Sequence, residues 1–356
     1  MDEHGTNKLR LIFWELTAAC NLKCVHCRAE AITERLKDEL TTEECFKFID
    51  EVASFANPIM VLTGGEPLRR DDIFDIASYA SAKGLRVALA TNGTMVDKEV
   101  AQKLKNAGVI RASVSIDGAT AKTHDSFRGI PGSFEKALEG CRQIKNAGIE
   151  LQLNATITKH NADEVTEIFE LAKKIGAKAV HLFMLVPVGC GVRIADEMML
   201  PAARYEKILS WLYRTGRENP NIEVKATCAP HYYRIMHARA RKEGRQVTVR
   251  TDGMAAVTKG CLAGSAVCFV SRTGDVQPCG YLPLVAGNIR KSPFKEIWEE
   301  SELFVSLRGK VALKGKCGAC EYASVCMGCR ARAYAETGDY LEEEPYCVYI
   351  PASYEK

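Results

Sequence analysis

Short apolar runs alternate with amphipathic stretches from residue 10 to about residue 217 of this chain. Six of the runs are rich in Val, Ile, Leu and Ala, as parallel strands that are buried on both faces tend to be. The predicted strands are Arg10–Thr17, Pro58–Thr63, Arg86–Ala90, Ile110–Ile116, Glu150–Ile157 and Ala179–Val186. The stretches between them predict the helices Thr41–Phe55, Asp71–Lys83, Asp97–Asn106, Ser133–Asn146 and Asn161–Ile175.

Six strand–helix units predict an α/β fold, a partial (β/α)6 TIM-like barrel. We favour it over a flavodoxin-like open sheet because chemically interesting residues recur at the strand C-termini, where barrel enzymes place their sites. The pattern changes after Pro220, where a basic and aromatic stretch begins, and residues from Cys261 onward are rich in cysteine. We therefore predict a barrel over 1–220, a connecting segment over 221–260 and a small cysteine-rich domain over 261–356.

Composition narrows the class of protein. The chain has 356 residues, of which 47% are hydrophobic and 26% charged, and its net charge is +3. This balance is globular and too weakly basic to argue for a nucleic-acid or membrane-surface partner. The N-terminus is polar, and no apolar run approaches the ~20 residues of a membrane span. We expect a cytoplasmic protein with no nucleic-acid or membrane partner.

Fifteen cysteines then become informative, because a reducing compartment does not favour a disulfide framework. Cys20, Cys24 and Cys27 form a C-x3-C-x2-C motif directly after the first predicted strand. Three thiolates can hold three irons of a 4Fe–4S cluster and leave the fourth iron open to a small molecule. The alternative is a structural zinc site with a fourth ligand such as His26. For Cys45 and Cys141, on helix-like segments, we expect buried packing.

This motif resembles that of the radical S-adenosylmethionine (radical SAM) enzymes. The resemblance implies that the open iron binds SAM (AdoMet) and that an electron from the cluster gives a 5′-deoxyadenosyl radical. It also implies roles for residues at later strand ends: Gly64, Gly65 and Glu66 for the methionine amine, and Arg128 for the SAM carboxylate. Asn92 follows the third strand, Ser115 and Asn154 resemble ribose contacts, and Val186 begins the segment where the family stacks the adenine.

The later cysteines resemble the SPASM extension of that family, which carries two auxiliary 4Fe–4S clusters. By position, the first would be held by Cys261, Cys268, Cys279 and Cys329, and the second by Cys317, Cys320, Cys326 and Cys347. The two residues before Cys329 depart from the family's usual three, so the sharing of Cys329 and Cys347 between clusters stays open. Two structural zinc sites are the alternative.

Flanking segments resemble the tetrapyrrole enzymes within this family, and the segment from Gly338 to Cys347 resembles the heme synthases among them. The resemblance implies oxidative decarboxylation of two propionates of iron-coproporphyrin III to vinyl groups, giving heme b. The alternatives are a didecarboxysiroheme deacetylase, a heme d1 side-chain enzyme and, more distantly, a SPASM peptide maturase. It also implies a low-potential electron donor such as flavodoxin or ferredoxin.

An anionic, flat iron tetrapyrrole needs cations and aromatic surfaces. The segment 228–245 supplies both, so His231, Tyr233 and Arg234 are candidate propionate contacts, with Arg193 as another. The alternative for this segment is a solvated basic helix.

Overall fold

The structure is a computed structural model that describes residues 8–252, 258–309 and 311–354. The polar N-terminus up to residue 7 and residues 253–257 of the predicted connecting segment therefore lie outside the described residues.

A mostly parallel sheet forms the centre of the molecule. Its ten strands have the order β10-β9-β8-β1-β2-β3-β4-β5-β6-β7, and β8 through β7 in this order are parallel. Over the described residues β7 and β8 do not pair, so the sheet stays open like a partial barrel. The strands are β1 Leu11–Glu15, β2 Ile59–Thr63, β3 Arg86–Thr91, β4 Val109–Ser115, β5 Glu150–Ile157, β6 Ala179–Met184, β7 Glu223–Thr227, β8 Val267–Val270, β9 Asp275–Gln277 and β10 Gly287–Asn288.

Helices connect the parallel strands, as the alternating pattern predicts. They are α1 Thr42–Phe55, α2 Ile73–Ala82, α3 Lys98–Asn106, α4 Ala121–Arg128, α5 Ser133–Asn146, α6 Val165–Ile175, α7 Gly191–Met198, α8 Ala202–Glu218, α9 His231–Lys242, α10 Val249–Asp252, α11 Phe294–Glu300, α12 Glu302–Ser306, α13 Gly315–Gly318 and α14 Arg330–Thr337. Single 3₁₀ turns lie at Pro67–Arg69 and Ala162–Glu164. Within the described residues, no helix has the length and apolar character needed to cross a bilayer.

The main core lies between this sheet and the helices. Alternate residues of β1, Ile12 and Trp14, are fully buried there, and Trp14 packs edge-on against Phe48 of α1. Helix α1 begins with the capping box that the sequence indicates, since Thr41 and Glu44 each accept the other's backbone N–H. This packing fixes the C-terminal ends of the parallel strands at one edge of the sheet, where the polar and cysteine residues gather.

The sequence pattern missed strand β7 and did not place strand β8 in this sheet. Strand β7 lies in the predicted connecting segment, and β8, at the start of the cysteine-rich region, pairs in parallel with β1. Leu11 to Trp14 face Val267 to Val270 in register. The cysteine-rich segment therefore continues the sheet directly from β1, and its short β-ribbon extends that edge.

Candidate active site

The C-x3-C-x2-C motif forms a loop after β1, at the C-terminal edge of the sheet. Each of its thiols accepts an N–H group: Cys20 from Leu22 (3.4 Å), Cys24 from Arg128 Nη1 (3.7 Å) and Cys27 from Ala31 (3.4 Å). Burial, together with the neighbouring Glu66, Cys24 and Cys27, raises the pKa of the Cys20 thiol to about 11. A group of three neighbouring thiols supplied with N–H donors suits thiolates that bind a cationic cluster.

Three elements hold this cysteine loop. From β2, the N–H groups of Gly65 and Glu66 donate to Thr17 O and Ala19 O, both at 2.8 Å. From α4, the carbonyls of Arg128 and Phe127 accept from Lys23 (3.2 Å) and Val25 (3.1 Å), and after β6 the N–H of Cys190 donates to Cys27 O at 2.9 Å. The loop is thus fixed by backbone bonds to three neighbouring segments.

The structure gives a packing reason for the presence of glycine at Gly64 and Gly65, directly after β2. A Cβ at Gly65 would lie 2.5 Å from Ala19 O, and one at Gly64 would lie 2.8 Å from Thr17 O. The close approach that these glycines permit is therefore to the cysteine loop itself. Gly189 does the same after β6, where a Cβ would lie 2.7 Å from Cys27 O.

Glu66 is completely buried beside the loop. Its carboxylate accepts from the Thr91 hydroxyl (2.8 and 2.9 Å), from the Asn92 N–H (2.8 Å) and from the Leu68 N–H (3.2 Å). Burial raises its pKa to about 7 despite these bonds. Glu66 thus fixes the end of β3 and places Asn92, whose Nδ2 lies 2.9 Å from Asn21 Oδ1 and 3.9 Å from the Cys20 sulfur.

Arg128 and Asp117 form a buried ion pair on the other side of the loop, with Nη2 2.6 Å from Oδ2. Burial alone would raise the pKa of Asp117, but Arg128 and His26 outweigh it and hold that pKa below its ordinary value. His26 stacks on Phe127 with ring centroids 4.1 Å apart. The Arg128 Nε is buried without a hydrogen-bond partner among the described residues. It is therefore available to an anionic ligand next to Cys24.

The remaining predicted SAM contacts lie along the same edge. Ser115 ends β4 and pairs in register with Asn154 of β5, and both residues are half-buried. Val186 is almost fully buried and packs with Leu282 and Cys329, between the sheet and the C-terminal segment. Its contact with an adenine stays a prediction.

A cavity of about 300 Å³ opens beside the cysteine loop, between β1, β8 and the loop after β6. At its wall the buried Glu15 carboxylate binds two arginines, Arg28 at 2.5 Å and Arg272. Arg28 also lies over the Phe269 ring, 4.6 Å from its centroid. Arg272 Nε has no hydrogen-bond partner among the described residues. The cavity thus presents the guanidinium groups of Arg28 and Arg272 and the aromatic residues Phe269 and Tyr281, and its lining also includes the carboxylates Glu15, Glu30 and Asp275.

Four of the later cysteines line a second cavity. These are the predicted set Cys317, Cys320, Cys326 and Cys347. N–H groups again point at sulfur, from Glu344 to Cys317 at 3.3 Å and from Gly328 to Cys326 at 3.4 Å.

The candidate propionate contacts on α9 do not line the cavity beside the cysteine loop. His231 and Arg234 are buried and line the cavity of Cys317 and its partners. Arg234 pairs with Glu206, and Tyr233 packs with Tyr213 and Met236 in a separate apolar cluster. Arg193 is exposed and lies 3.4 Å from Glu30, a residue that borders the cavity beside the cysteine loop.

The structure brings together three members of the set predicted for the first auxiliary cluster. Cys261, Cys279 and Cys329 lie close enough to interact electrostatically, whereas Cys268 is fully buried in the main core on β8. A further thiol, that of Cys228, packs beside Cys279 and Cys329 in the same cluster.

Within the described residues, no three His, Cys, Asp or Glu side chains lie close enough together to bind a single metal ion. A 4Fe–4S cluster is larger, because each of its thiolates binds a different iron. The donor sets, all sulfur and supplied with N–H groups, fit such clusters.

Comparison with known proteins agrees with this geometry. A family model described as the radical SAM superfamily matches residues 14–172, and a second, an iron–sulfur cluster-binding domain of the SPASM type, matches residues 261–330. An AdoMet-dependent heme synthase from Methanosarcina barkeri is 58% identical over 97% of this chain and 98% of its own. The chain belongs to the radical SAM superfamily.

Two further proteins show a more distant similarity to this radical SAM enzyme. An Fe-coproporphyrin III synthase from Methanosarcina barkeri is 32% identical over 97% of this chain and 89% of its own. The structure of native anSMEcpe with bound AdoMet superposes with a TM-score of 0.71 and 22% identity, over 95% of this chain and 94% of that one. This structural likeness shows the shared fold.

Sequence reasoning about this radical SAM enzyme missed Glu15, Arg272 and Cys228. Glu15 and Arg272 come from β1 and from the turn after β8, and only the β1–β8 pairing brings them together. Cys228 directly follows β7, a strand that was not predicted. Its position at a strand C-terminus is the signal that could have found it.

Proposed function

We propose that this radical SAM enzyme is a heme synthase that oxidatively decarboxylates two propionates of iron-coproporphyrin III to vinyl groups, giving heme b. The observation that carries the proposal is the 58% identity to a heme synthase along nearly the whole chain, against 32% to an Fe-coproporphyrin III synthase. The cavity beside the cysteine loop supports it, since its two arginines and aromatic rings suit an anionic, flat substrate.

The proposed cofactors are AdoMet and three 4Fe–4S clusters. Cys20, Cys24 and Cys27 would hold the first cluster, and the two later cysteine sets would hold the auxiliary ones. When bound, these groups supply reductive cleavage of AdoMet and uptake of the electron that each decarboxylation releases. Arg128, through its unpaired Nε, is the proposed partner of the AdoMet carboxylate. Ser115 and Asn154 are the proposed ribose contacts. The residues proposed to surround the amine of AdoMet are Gly64, Gly65, Glu66 and Asn92.

The chain's own residues would bind and orient the substrate. Each propionate loses a hydrogen atom, CO2 and one electron as it becomes a vinyl group, so it must lie between the cysteine loop and an electron acceptor. Tyr281 borders the cavity and packs in the same cluster as Cys228, Cys279 and Cys329, while Arg28 and Gly189 join the cavity to the cysteine loop. These contacts support a substrate position near both the cysteine loop and the first auxiliary site.

We propose Arg28 and Arg272 as the propionate contacts, in place of the residues on α9, with Arg193 near the rim. Arg272→Gln keeps a polar side chain but removes one charge-assisted bond, so we expect the KM for the tetrapyrrole to rise about tenfold. Steady-state kinetics under anaerobic conditions measure this change. Arg142→Gln, which removes an exposed arginine paired with Glu139 on α5, is the matched control. An unchanged KM in Arg272→Gln would remove this residue from the substrate site.

The deciding experiment for the function is an anaerobic assay of the reconstituted protein with AdoMet and a low-potential donor such as flavodoxin or ferredoxin. Iron-coproporphyrin III and didecarboxysiroheme are offered separately, and products are resolved by chromatography and mass. Heme b from the first substrate is expected. Loss of acetate groups from the second, with no reaction of the first, would overturn the proposal.

A further inference from the structure

The surroundings of Cys268 and Cys228 decide which thiol joins Cys261, Cys279 and Cys329. Residues alternate between the two faces of β8, and its neighbour Phe269 borders the cavity beside the cysteine loop. Cys268 therefore points to the opposite face, where it is fully buried in the main core with Phe294, Trp298 and Phe304. The charged group that acts electrostatically on its thiol there is Arg308.

Cys228 has the opposite surroundings. It packs in one apolar cluster with Cys279 and Cys329. It follows β7 directly, so it lies at the C-terminal edge of the sheet together with the cysteine loop and the predicted SAM contacts. A barrel residue is thus brought to three cysteines of the C-terminal segment.

The backbone of Cys228 is held in an unfavourable conformation. Its φ of +57° lies in the left-handed region, which costs a non-glycine residue roughly 1–2 kcal/mol. The Cys228 carbonyl accepts two bonds from the Arg332 guanidinium, one of them from Nη1 at 2.8 Å. Such strain persists where surrounding contacts require it, and it concentrates at functional sites.

The same network positions Cys329. Arg332 is fully buried, and its Nε lies 3.3 Å from the Glu344 carboxylate, which is equally buried. Glu344 in turn accepts the backbone N–H of Cys329 at 2.8 Å. One buried ion pair therefore positions two cysteines that are 101 positions apart in the sequence.

We infer that Cys228, Cys261, Cys279 and Cys329 are the four ligands of the first auxiliary 4Fe–4S cluster, and that Cys268 is a core residue. Four thiolates close every iron to other ligands, which suits electron transfer. One ligand then comes from the end of barrel strand β7, so the cluster is attached directly to the barrel and next to the cavity. This inference holds for any substrate and does not rest on the proposed decarboxylation.

The test uses the full chain, reconstituted anaerobically with iron and sulfide, and compares Cys228→Ala with Cys279→Ala and Cys268→Val. Valine fills the apolar space of Cys268, so the variant keeps its core packing. We expect Cys228→Ala and Cys279→Ala each to lose about four of roughly twelve irons, or to show a 3Fe–4S signal in electron paramagnetic resonance after oxidation. Cys268→Val should keep the wild-type iron content and spectrum.

Two results would overturn the inference. One is a Cys228→Ala protein with wild-type iron content and an unchanged spectrum. The other is a Cys268→Val protein that loses iron as Cys279→Ala does while it keeps the wild-type melting temperature. If Cys228→Ala does not fold, Cys228→Ser replaces it, because an oxygen ligand must shift the g values of the reduced auxiliary cluster. Unchanged g values in that variant would equally contradict the assignment. None of these measurements requires substrate, so failure of the proposed function would leave them unaffected.

Discussion

The cysteine loop and the first auxiliary site use the same chemistry but are assembled in opposite ways. In the loop, Cys20, Cys24 and Cys27 are neighbours in sequence, and the backbone alone brings them together. The four thiols of the first auxiliary site come from separate segments, which meet only because β7 and β8 lie at opposite edges of the parallel strands. Spacing therefore defines the first site, and topology defines the second.

Both sites nevertheless depend on one buried arginine and one buried carboxylate. Beside the loop, Arg128 pairs with Asp117 at 2.6 Å and donates to the Cys24 sulfur. At the auxiliary site, Arg332 pairs with Glu344 at 3.3 Å and holds the carbonyl of Cys228. In each case a fixed guanidinium positions a cysteine, which is how supporting residues orient cluster ligands.

The largest difference between the sites should appear in AdoMet cleavage. Cys24→Ala removes one of the three loop thiolates, so we expect formation of 5′-deoxyadenosine with dithionite as reductant to fall to background. Cys141→Ala, which removes a buried thiol on α5 remote from both sites, is the control and should retain the wild-type rate. Substantial 5′-deoxyadenosine from Cys24→Ala would mean that the loop is not the reactive centre.

The Asp117→Asn substitution tests whether the ion pair beside the loop positions the SAM site. It leaves Arg128 buried without its counter-charge, so we expect a loss of about 3 kcal/mol in the free energy of unfolding. Because Arg128 would then be misplaced, AdoMet affinity should fall about tenfold or more. Chemical denaturation and equilibrium dialysis measure the two effects.

Asp125→Asn is the matched control for that substitution. Asp125 is a half-buried carboxylate on α4 that accepts N–H groups at the start of α5, so its loss should cost about 1 kcal/mol. Its AdoMet affinity should stay at the wild-type value. Equal losses of affinity in both variants would show that α4 as a whole, rather than the ion pair, positions the site.

The comparison also explains how far the sequence could predict the molecule. The six barrel strands follow from apolar runs, and the compact motif identifies Cys20, Cys24 and Cys27, because both signals are local. Position along the chain does not reveal which face of β8 a residue occupies, so the sequence could not show that Cys268 lies in the main core. The surroundings of His231 and Arg234 could not be predicted either, since a basic helix can turn its cations toward a buried thiol cavity as well as toward a substrate.

Gly65→Ala tests the packing that supports the loop. The new Cβ would lie 2.5 Å from Ala19 O and 2.6 Å from Ala18 O, and backbone atoms cannot move away cheaply. We expect a loss of about 1–3 kcal/mol in unfolding free energy and a selective loss of iron from the loop, with the auxiliary signals retained. Iron analysis and electron paramagnetic resonance distinguish the clusters.

Gly84→Ala provides the comparison for that variant. Gly84 has a φ of +81° and open space around its Cα, so alanine there costs only backbone strain of about 1 kcal/mol. All clusters should keep their iron. A Gly65→Ala protein with the same small cost and full iron content would show that the loop tolerates displacement from β2.

The smallest expected effect is a pH dependence from α4, the helix that holds the cysteine loop. Burial, aided by Arg128, lowers the pKa of His124 to about 4, and its Nδ1 accepts the N–H of Asp117 at 3.1 Å. The unfolded chain binds a proton at this histidine below about pH 6.5, whereas the folded protein does not. Stability is therefore lost as the pH falls from 6.5 toward 4. In urea unfolding at pH 7 and pH 5.5, His124→Gln should lose about 1 kcal/mol less than the wild type over this interval. Equal losses in the two proteins would mean that His124 takes up its proton in the folded state, and that the α4 side of the loop is more accessible to water than its burial indicates.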